Sequence, residues 1–169
     1  MDCQVELKKA SIKDAPHVFA AWGSNVENFT FLSAPPQSSV TDAENYLAQA
    51  LAGEQNLCFH IIEKKTANIV GLIKAKVEGH KALVGYVIDK GYWGKGFATQ
   101  ALTIFIPHVK NLSGITRIWA TCATNNFASV SVLEKCGFVR EGILTNWIIY
   151  PRQGNNAHDN YSYVLPLKR

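Results

Sequence analysis

The sequence predicts a mixed α/β fold built on a single sheet. Three strand-like runs with short polar connections follow one another between residues 57 and 88, which is typical of a meander. Helix-like and strand-like runs then alternate toward the C-terminal end. There is no internal repeat and no linker-like stretch, so the 169 residues are expected to form one domain, 1–169, large enough to bury a core.

Strand and helix positions follow from periodicity and from signals at the ends of each element. The predicted strands cover residues 4–8, 57–63, 69–76, 81–88, 115–121, 138–143, 146–150 and 160–165. The predicted helices begin at residues 11, 41, 98 and 127. Pro107 is expected to kink or shorten the third helix, because proline lacks the N–H group that a helix interior needs.

Local signals mark the two helices in the N-terminal third. Ser11 favours a helix start, and Pro16 is tolerated in the first turn that follows. The run Thr41-Asp42-Ala43-Glu44 is a capping box, and Gly53 is the expected stop of the helix that it begins. Residues 25–39 between the two helices are expected to be irregular, because two consecutive prolines cannot occupy a helix interior.

Composition excludes several classes of function. The formal charge of +4 is small and no dense Lys/Arg run occurs, so direct nucleic-acid binding is not predicted. No signal peptide or membrane-spanning run is present in the sequence, so no membrane partner is expected. Cys3, Cys58, Cys122 and Cys136 show neither paired nor zinc-type spacing, which favours free thiols, a cytoplasmic protein and no metal.

The most informative segment is Gly91-Tyr92-Trp93-Gly94-Lys95-Gly96-Phe97-Ala98-Thr99, which joins a strand to a helix. A helix start after small residues favours phosphate, because the first N–H groups lack partners and the helix dipole attracts negative charge. A Walker-type loop would need Ser or Thr after Lys95, where Gly96 stands. A dinucleotide fingerprint would need a third glycine at Thr99 and a carboxylate near residues 115–121, and both are missing.

Two segments carry a family resemblance. Residues 93–98, Trp-Gly-Lys-Gly-Phe-Ala, resemble the pyrophosphate loop of the GNAT superfamily of acetyl-CoA-dependent N-acetyltransferases, Gln/Arg-x-x-Gly-x-Gly/Ala. Gly96 and Ala98 match that loop, and Trp93 replaces its Gln/Arg, as in the Rim-type branch that modifies protein N-termini. Residues 126–138 resemble the family's second cofactor segment, Asn-x-x-Ser/Ala followed by a short helix that ends in Glu-Lys-x-Gly-Phe.

The resemblance implies a fold and a reaction. The fold would be α/β (α+β), a single mixed, mostly antiparallel central sheet of about seven strands flanked by about four helices. The reaction would be acetyl transfer from acetyl-CoA to a primary amine, most simply a protein N-terminal α-amine, by direct attack on the thioester. The alternatives are acetylation of a small amine or antibiotic, a CoA-binding sensor without turnover, and a nucleotide-binding module. A homodimer is left open as the assembly.

The resemblance also assigns residues to acetyl-CoA. The implied cofactor-binding set is Tyr86, Val87, Ile88, Trp93, Gly94, Lys95, Gly96, Phe97, Ala98, Thr99, Asn126, Ser129 and Lys135. In that set, Tyr86–Ile88 would act through their main chain on the pantetheine arm. Helix capping for Asn126 and plain solvent exposure for Lys95 and Lys135 remain alternative roles.

The catalytic assignment is less complete. Asn126 and Ser129 are the implied catalytic residues, with the Ser129 hydroxyl donating to the departing thiolate. Leu133 stands where many family members carry a tyrosine general acid, so that acid is missing. The carboxylates to consider as bases are Glu27, Glu63 and Asp159. The acceptor is expected between residues 22–39 and 151–159, where core packing and slot lining are both open roles for Trp22, Phe29, Phe31 and Trp147.

Overall fold

The computed structural model describes residues 2–168, which form a seven-stranded sheet with four α-helices. The strands are β1 (Val5–Lys9), β2 (Leu57–Glu63), β3 (Ile69–Glu78), β4 (Lys81–Ile88), β5 (Arg117–Ala123), β6 (Val139–Ile149) and β7 (Ala157–Leu165). The helices are α1 (Ala15–Val18), α2 (Val40–Leu51), α3 (Phe97–Lys110) and α4 (Phe127–Lys135). No helix among the described residues combines the length and the apolar content that a membrane crossing requires.

The sheet has the strand order β1-β2-β3-β4-β5-β7-β6. Only the β4–β5 pair is parallel, and the other neighbouring pairs are antiparallel. The predicted mixed, mostly antiparallel sheet is therefore confirmed.

Two hydrophobic cores lie on opposite faces of the sheet. The larger core packs α3 and α4 against the sheet, with Ile73 at its centre, and the smaller core packs α1 and α2 around the neighbouring Leu72. The two side chains enter different cores because successive residues of a strand point to opposite faces. Val87 and Ile88 divide in the same way at the end of β4, so the side chains of both are core residues.

The N-terminal helical region differs from its prediction. A 3₁₀ turn at Ile12–Asp14 begins at Ser11, whose hydroxyl and Asp14 carboxylate exchange hydrogen bonds with the main chain as a capping box. The chain then forms the single turn of α1, a π turn at Phe19–Gly23 and a 3₁₀ turn at Val26–Phe29. The expected helix start is confirmed, but the helix is divided into short turns of different pitch.

The predicted start of the second helix is wrong by two residues. The N-cap of α2 is Ser39, whose hydroxyl accepts the Asp42 N–H, and Thr41 is already an exposed helical residue. Starting at Val40 places Ala43, Leu47 and Ala50 on the buried face of the helix. The hydroxyl that caps the helix is therefore that of Ser39 and not that of Thr41.

Two predictions in the C-terminal half are also corrected. Helix α3 continues past Pro107 to Lys110, so the proline does not shorten it. The strands predicted at 138–143 and 146–150 form one strand, β6, with register shifts against β7. Asn146 supplies the second irregularity with a positive φ of 49°, a conformation that asparagine tolerates better than most residues. Gly137 ends α4 as predicted, with a φ of 86°.

Replacing Ser39 by alanine should lower the free energy of unfolding by about 1 kcal/mol, because it removes the side chain that caps α2. The matched control is Thr41→Ala, which changes an exposed helical position and should alter stability by about 0.5 kcal/mol or less. Urea unfolding of both variants measures the difference. A larger loss for Thr41→Ala than for Ser39→Ala would contradict the assigned N-cap.

Candidate active site

Strands β4 and β5 separate to form a cleft. β4 pairs with β3 along its whole length, from Lys81 to Ile88, but its pairing with β5 covers only residues 81–83. Beyond Leu83, the main chain on the β5 side of β4 has no strand partner. The sequence-predicted Tyr86, Val87 and Ile88 all lie in this separated part. The main chain of Tyr86 and the N–H of Ile88 face the cleft and are free to bind an extended ligand such as the pantetheine arm. The main chain of Val87 faces β3 instead and pairs with Leu72, so the structure does not bring it to the cleft.

The glycine-rich loop closes one end of the cleft. Gly94 and Gly96 have φ values of 74° and 76°, which L-residues adopt only with strain. Among the described residues, none accepts a hydrogen bond from the N–H groups of residues 94–99. Consecutive unpaired N–H groups at the start of the 14-residue helix α3 form an anion site. The loop therefore fits a pyrophosphate, and Lys95, exposed and above the Tyr92 ring, lies beside it.

Trp93 fastens this loop to the end of the strand. Its indole Nε1–H donates to the carbonyl oxygen of Ile88 at 2.7 Å, while 53% of the residue is exposed. The Asp89 carboxylate accepts the Gly91 N–H at 3.1 Å and caps the turn in between. Sequence comparison placed Trp93 at a cofactor position but did not reveal the bond of its side chain to β4.

The second motif faces the cleft from α4. The Asn126 side chain accepts the Ser129 N–H at 3.2 Å, so Asn126 caps the helix. The Ser129 hydroxyl lies 2.9 Å from the Tyr86 hydroxyl, a bond that spans from α4 to β4. Burial raises the pKa of the Tyr86 phenol well above its ordinary value, more than the Ser129 bond lowers it. The phenol is therefore protonated at neutral pH, and the pair brings two hydroxyl groups to the cleft.

The remaining residues of this motif take different positions. Leu133 is a core residue with 1% exposure, which agrees with the missing tyrosine acid. The Cys136 thiol lies 3.5 Å from the Thr99 carbonyl oxygen and so connects the end of α4 with the start of α3. Burial raises the pKa of this thiol, which opposes a role as thiolate. Lys135 is exposed in the last turn of α4.

Two loops meet where the acceptor was expected. The Gln153 side-chain amide donates to the Thr30 carbonyl oxygen at 2.7 Å, and the Phe31 ring packs edge-on against Tyr150 with ring centres 6.0 Å apart. These contacts join the segment 22–39 to residues 150–153. Trp22 and Phe29 are fully buried in the smaller core and do not line a slot. Trp147 is half-exposed on β6.

The three candidate carboxylates are engaged elsewhere. Glu27 forms an exposed ion pair with Lys90, and Glu63 accepts the Thr66 hydroxyl at the turn after β2. Asp159 accepts the Asn146 N–H at 2.8 Å and so supports the irregular part of β6. Within residues 2–168, no three His, Cys, Asp or Glu side chains are grouped so as to hold a metal ion.

A buried polar network lies at the end of β5, and sequence reasoning missed it. The Asn160 side chain, 1% exposed, bonds the Tyr150 hydroxyl at 2.9 Å and the Thr121 hydroxyl at 3.3 Å. Asn160 pairs with Ala123, the last residue of β5. An asparagine within a strand pattern was the available signal, because a buried amide requires partners. The network holds the β5 end of the cleft against β7.

Known proteins resemble this chain in both sequence and structure. A family described as "Acetyltransferase (GNAT) domain" matches residues 4–139. The chain is 28% identical over 98% of its length to the uncharacterized N-acetyltransferase p20 of Bacillus licheniformis, of which 94% is covered. It superposes on a GNAT-family acetyltransferase from Bacillus anthracis with a TM-score of 0.80 and 26% identity, covering 96% of this chain and 94% of the other.

Two further matches are more distant. A [Ribosomal protein uS5]-alanine N-acetyltransferase of Escherichia coli (strain K12) is 31% identical over 44% of this chain and 38% of its own length. The microcin C7 self-immunity acetyltransferase MccE, solved in complex with acetyl-CoA and AMP, has a TM-score of 0.84 at 22% identity and covers 98% of this chain and 94% of its own. The second match shows a shared fold.

Replacing Gly96 by alanine should weaken CoA binding about tenfold, since a side chain is strained at φ 76° and the loop must shift its N–H groups to relieve that strain. Gly79→Ala is the matched control, because Gly79 has a φ of 60°, equally open surroundings and a place in the remote β3–β4 turn. Calorimetric titration with CoA measures both affinities. Equal weakening in the two variants would contradict a cofactor role for the loop.

Proposed function

The chain belongs to the GNAT family of acetyltransferases and is an N-acetyltransferase, and from that premise we propose which of its residues bind acetyl-CoA, which group protonates the leaving thiolate and which amine is acetylated. The observation that carries the proposal is the separation of β4 from β5 beside a loop whose N–H groups are unpaired. Both features supply main-chain hydrogen bonds to a long ligand that contains phosphate.

The proposed cofactor site runs along the cleft. The N–H groups of residues 94–99, together with the Thr99 hydroxyl, bind the pyrophosphate. The main chain of Tyr86 and the N–H of Ile88 pair with the pantetheine arm, and Asn126 and Ser129 approach the arm from α4. Lys95 and Lys135, both exposed, contribute positive charge near the phosphates. Relatives of this family have been solved with acetyl-CoA or CoA bound, which supports the assignment of the ligand.

The proposed reaction is a direct transfer. The neutral amine nitrogen forms a bond with the acetyl carbon, the carbon–sulfur bond breaks, the amine loses a proton to water, and the thiolate gains one to become the free thiol. Thiolates leave readily, because free thiols have a pKa of about 8.5. Positioning of the amine and hydrogen bonding to the thioester carbonyl then suffice for much of the rate.

The Ser129 hydroxyl is the proposed proton donor to the thiolate, with Tyr86 behind it. The 2.9 Å contact between the two hydroxyls lets Tyr86 donate to Ser129 as Ser129 donates to sulfur. Burial favours the protonated phenol and so keeps this relay loaded. Ser129 thus replaces the tyrosine that Leu133 displaces.

A protein N-terminal α-amine is the proposed acceptor. An α-amine has a pKa of about 7.7–8.0 and a lysine amine about 10.4, so only the α-amine is largely neutral near pH 8 without a base. The carboxylates near the acceptor loops are bonded to Lys90 and to Asn146, which disfavours a mechanism that needs a free base. The match to a ribosomal-protein alanine acetyltransferase, part of the Rim-type branch, supports the same choice.

A small amine is the second candidate acceptor. The shared fold with MccE and with a spermidine N-acetyltransferase from Vibrio cholerae favours it, since both carry this sheet and these helices.

We further propose a single domain over residues 1–169 and a cytoplasmic location, in keeping with four free cysteines. A homodimer stays a prediction, supported by the edge strand β6, which exposes Val139, Ile143, Trp147 and Ile149.

A thiol-release assay tests the acceptor. The protein should release free thiol from acetyl-CoA with peptides that begin with Ser or Ala, and turnover should be at least about tenfold lower when the same peptides carry a blocked N-terminus and one lysine. Spermidine and an aminoglycoside complete the panel. Turnover with the small amines alone would select the second candidate, and CoA binding without turnover on any amine would contradict the proposed transfer.

Ser129→Ala should lower kcat about a hundredfold with little change in CoA affinity, because general-acid assistance is lost. Tyr86→Phe should lower kcat about fivefold to tenfold, and this factor should be constant from pH 7 to about 10, because burial raises the pKa of the phenol above its ordinary value of 10.0. Ser131→Ala, in the same helix, is the control. A wild-type kcat for Ser129→Ala would remove the proposed acid.

A further inference from the structure

We propose that Asn28 is a positioning residue that couples the acceptor-side segment to the glycine-rich loop. The inference rests on the proposed binding of CoA by that loop and adds a residue from the opposite side of the cleft. Asn28 belongs to the 3₁₀ turn at Val26–Phe29 and lies 61 residues before Asp89, its partner at the start of the loop. Sequence motifs assign it no role.

The Asn28 side chain is buried, with 6% exposure, and forms three hydrogen bonds, two with main-chain groups and one with a side chain. Its Nδ2 group donates to the Trp22 carbonyl oxygen at 2.9 Å and to the Asp89 carboxylate at 2.7 Å, and its Oδ1 atom accepts the Lys90 N–H at 2.8 Å. Through these hydrogen bonds, the Asn28 amide joins residues 22–28 to residues 89 and 90. A buried amide with these bonds permits little movement between the segments.

Asp89 carries the constraint on to the loop. One carboxylate oxygen accepts from Asn28, and the other accepts the Gly91 N–H at 3.1 Å. The Asp89 carbonyl oxygen accepts the Tyr92 N–H at 2.8 Å, so the turn that leads into the loop is fixed at both ends. These bonds connect Asn28, through Asp89, to the turn that precedes Gly94.

The hydrogen-bonded bridge between Asn28 and Asp89 lies beside the proposed cofactor site, so it can affect CoA binding as well as stability. Asp89 follows directly on the separated end of β4, and the unpaired N–H groups begin five residues later, at Gly94. A change at Asn28 therefore alters the direction in which the loop leaves the strand. Preorganised N–H groups bind phosphate more tightly than mobile ones, so the affinity for CoA should depend on Asn28.

The first test compares Asn28→Ala with Phe29→Leu. Phe29 is the fully buried neighbour in the same turn, so its substitution destabilises the segment without touching Asp89. Calorimetry with CoA, well below the unfolding temperature, should show an affinity about fivefold to tenfold weaker for Asn28→Ala and unchanged for Phe29→Leu. Equal affinities in the two variants, or equal losses, would overturn the proposal.

A charge swap gives a rescue. Asn28→Asp places a carboxylate against the Asp89 carboxylate and should weaken CoA binding more than Asn28→Ala does. In the double variant Asn28→Asp/Asp89→Asn, the amide and carboxylate exchange places and the bond between positions 28 and 89 is restored, although the Trp22 carbonyl oxygen loses the donor that the Asn28 amide supplied, so the rescue is partial. The double variant should bind CoA at least threefold more tightly than Asn28→Asp. An affinity no better than that of Asn28→Asp would count against the bridge.

A third test uses the wild-type protein, so its result does not depend on the folding of a variant. The side-chain amide signals of Asn28 in ¹⁵N spectra should shift when CoA is added, while those of Asn45, exposed on α2 of the same half, should not. An Asn28 signal unmoved at saturating CoA would overturn the coupling. Absence of any CoA binding to the wild type would instead contradict the proposed function itself.

Discussion

The separation of β4 from β5 is the constraint on which the site depends. A parallel pair that ends after three residues leaves the main chain of β4 without partners on one side, and unpaired main-chain groups are costly unless a ligand or water binds them. Full pairing of β4 with β3 keeps the exposed edge straight and fixed. The cleft is therefore a permanent property of the sheet, and α3 and α4 begin at its two sides.

Three side-chain bonds hold the walls of this cleft. Trp93 fixes the loop to the Ile88 carbonyl, Asn28 fixes its start to the acceptor-side turn, and Ser129 fixes α4 to β4 through Tyr86. Each bond joins elements that the sheet alone does not connect. Since the first two converge on Ile88 and Asp89, the end of β4 is where cofactor-side and acceptor-side structure meet.

Local sequence predicted the elements that border the cleft better than the contacts between residues that are distant in the chain. The glycine loop, the Asn126 cap and the meander strands were all predicted, because each is encoded by neighbouring residues. Contacts between residues far apart in the chain were not predicted. Tyr86 and Ser129, for example, are 43 positions apart, and the register of a helix against a strand leaves no local pattern. The cap of α2 was predicted at the wrong residue for a related reason. Either Ser39 or Thr41 has a hydroxyl that can cap a helix, and only the backbone shows that Ser39, with φ −153° and ψ 165°, is the last extended residue.

Amide hydrogen exchange with and without CoA tests most directly whether the cleft is the cofactor site. We expect CoA to slow exchange at Tyr86, Ile88 and residues 94–99, whose N–H groups face the proposed ligand, and to leave the remote β3–β4 turn unchanged. Protection spread evenly over the protein would indicate stabilisation without a defined site. Protection confined to another surface, with the N–H groups of residues 94–99 still exchanging freely, would show that CoA does not bind in this cleft.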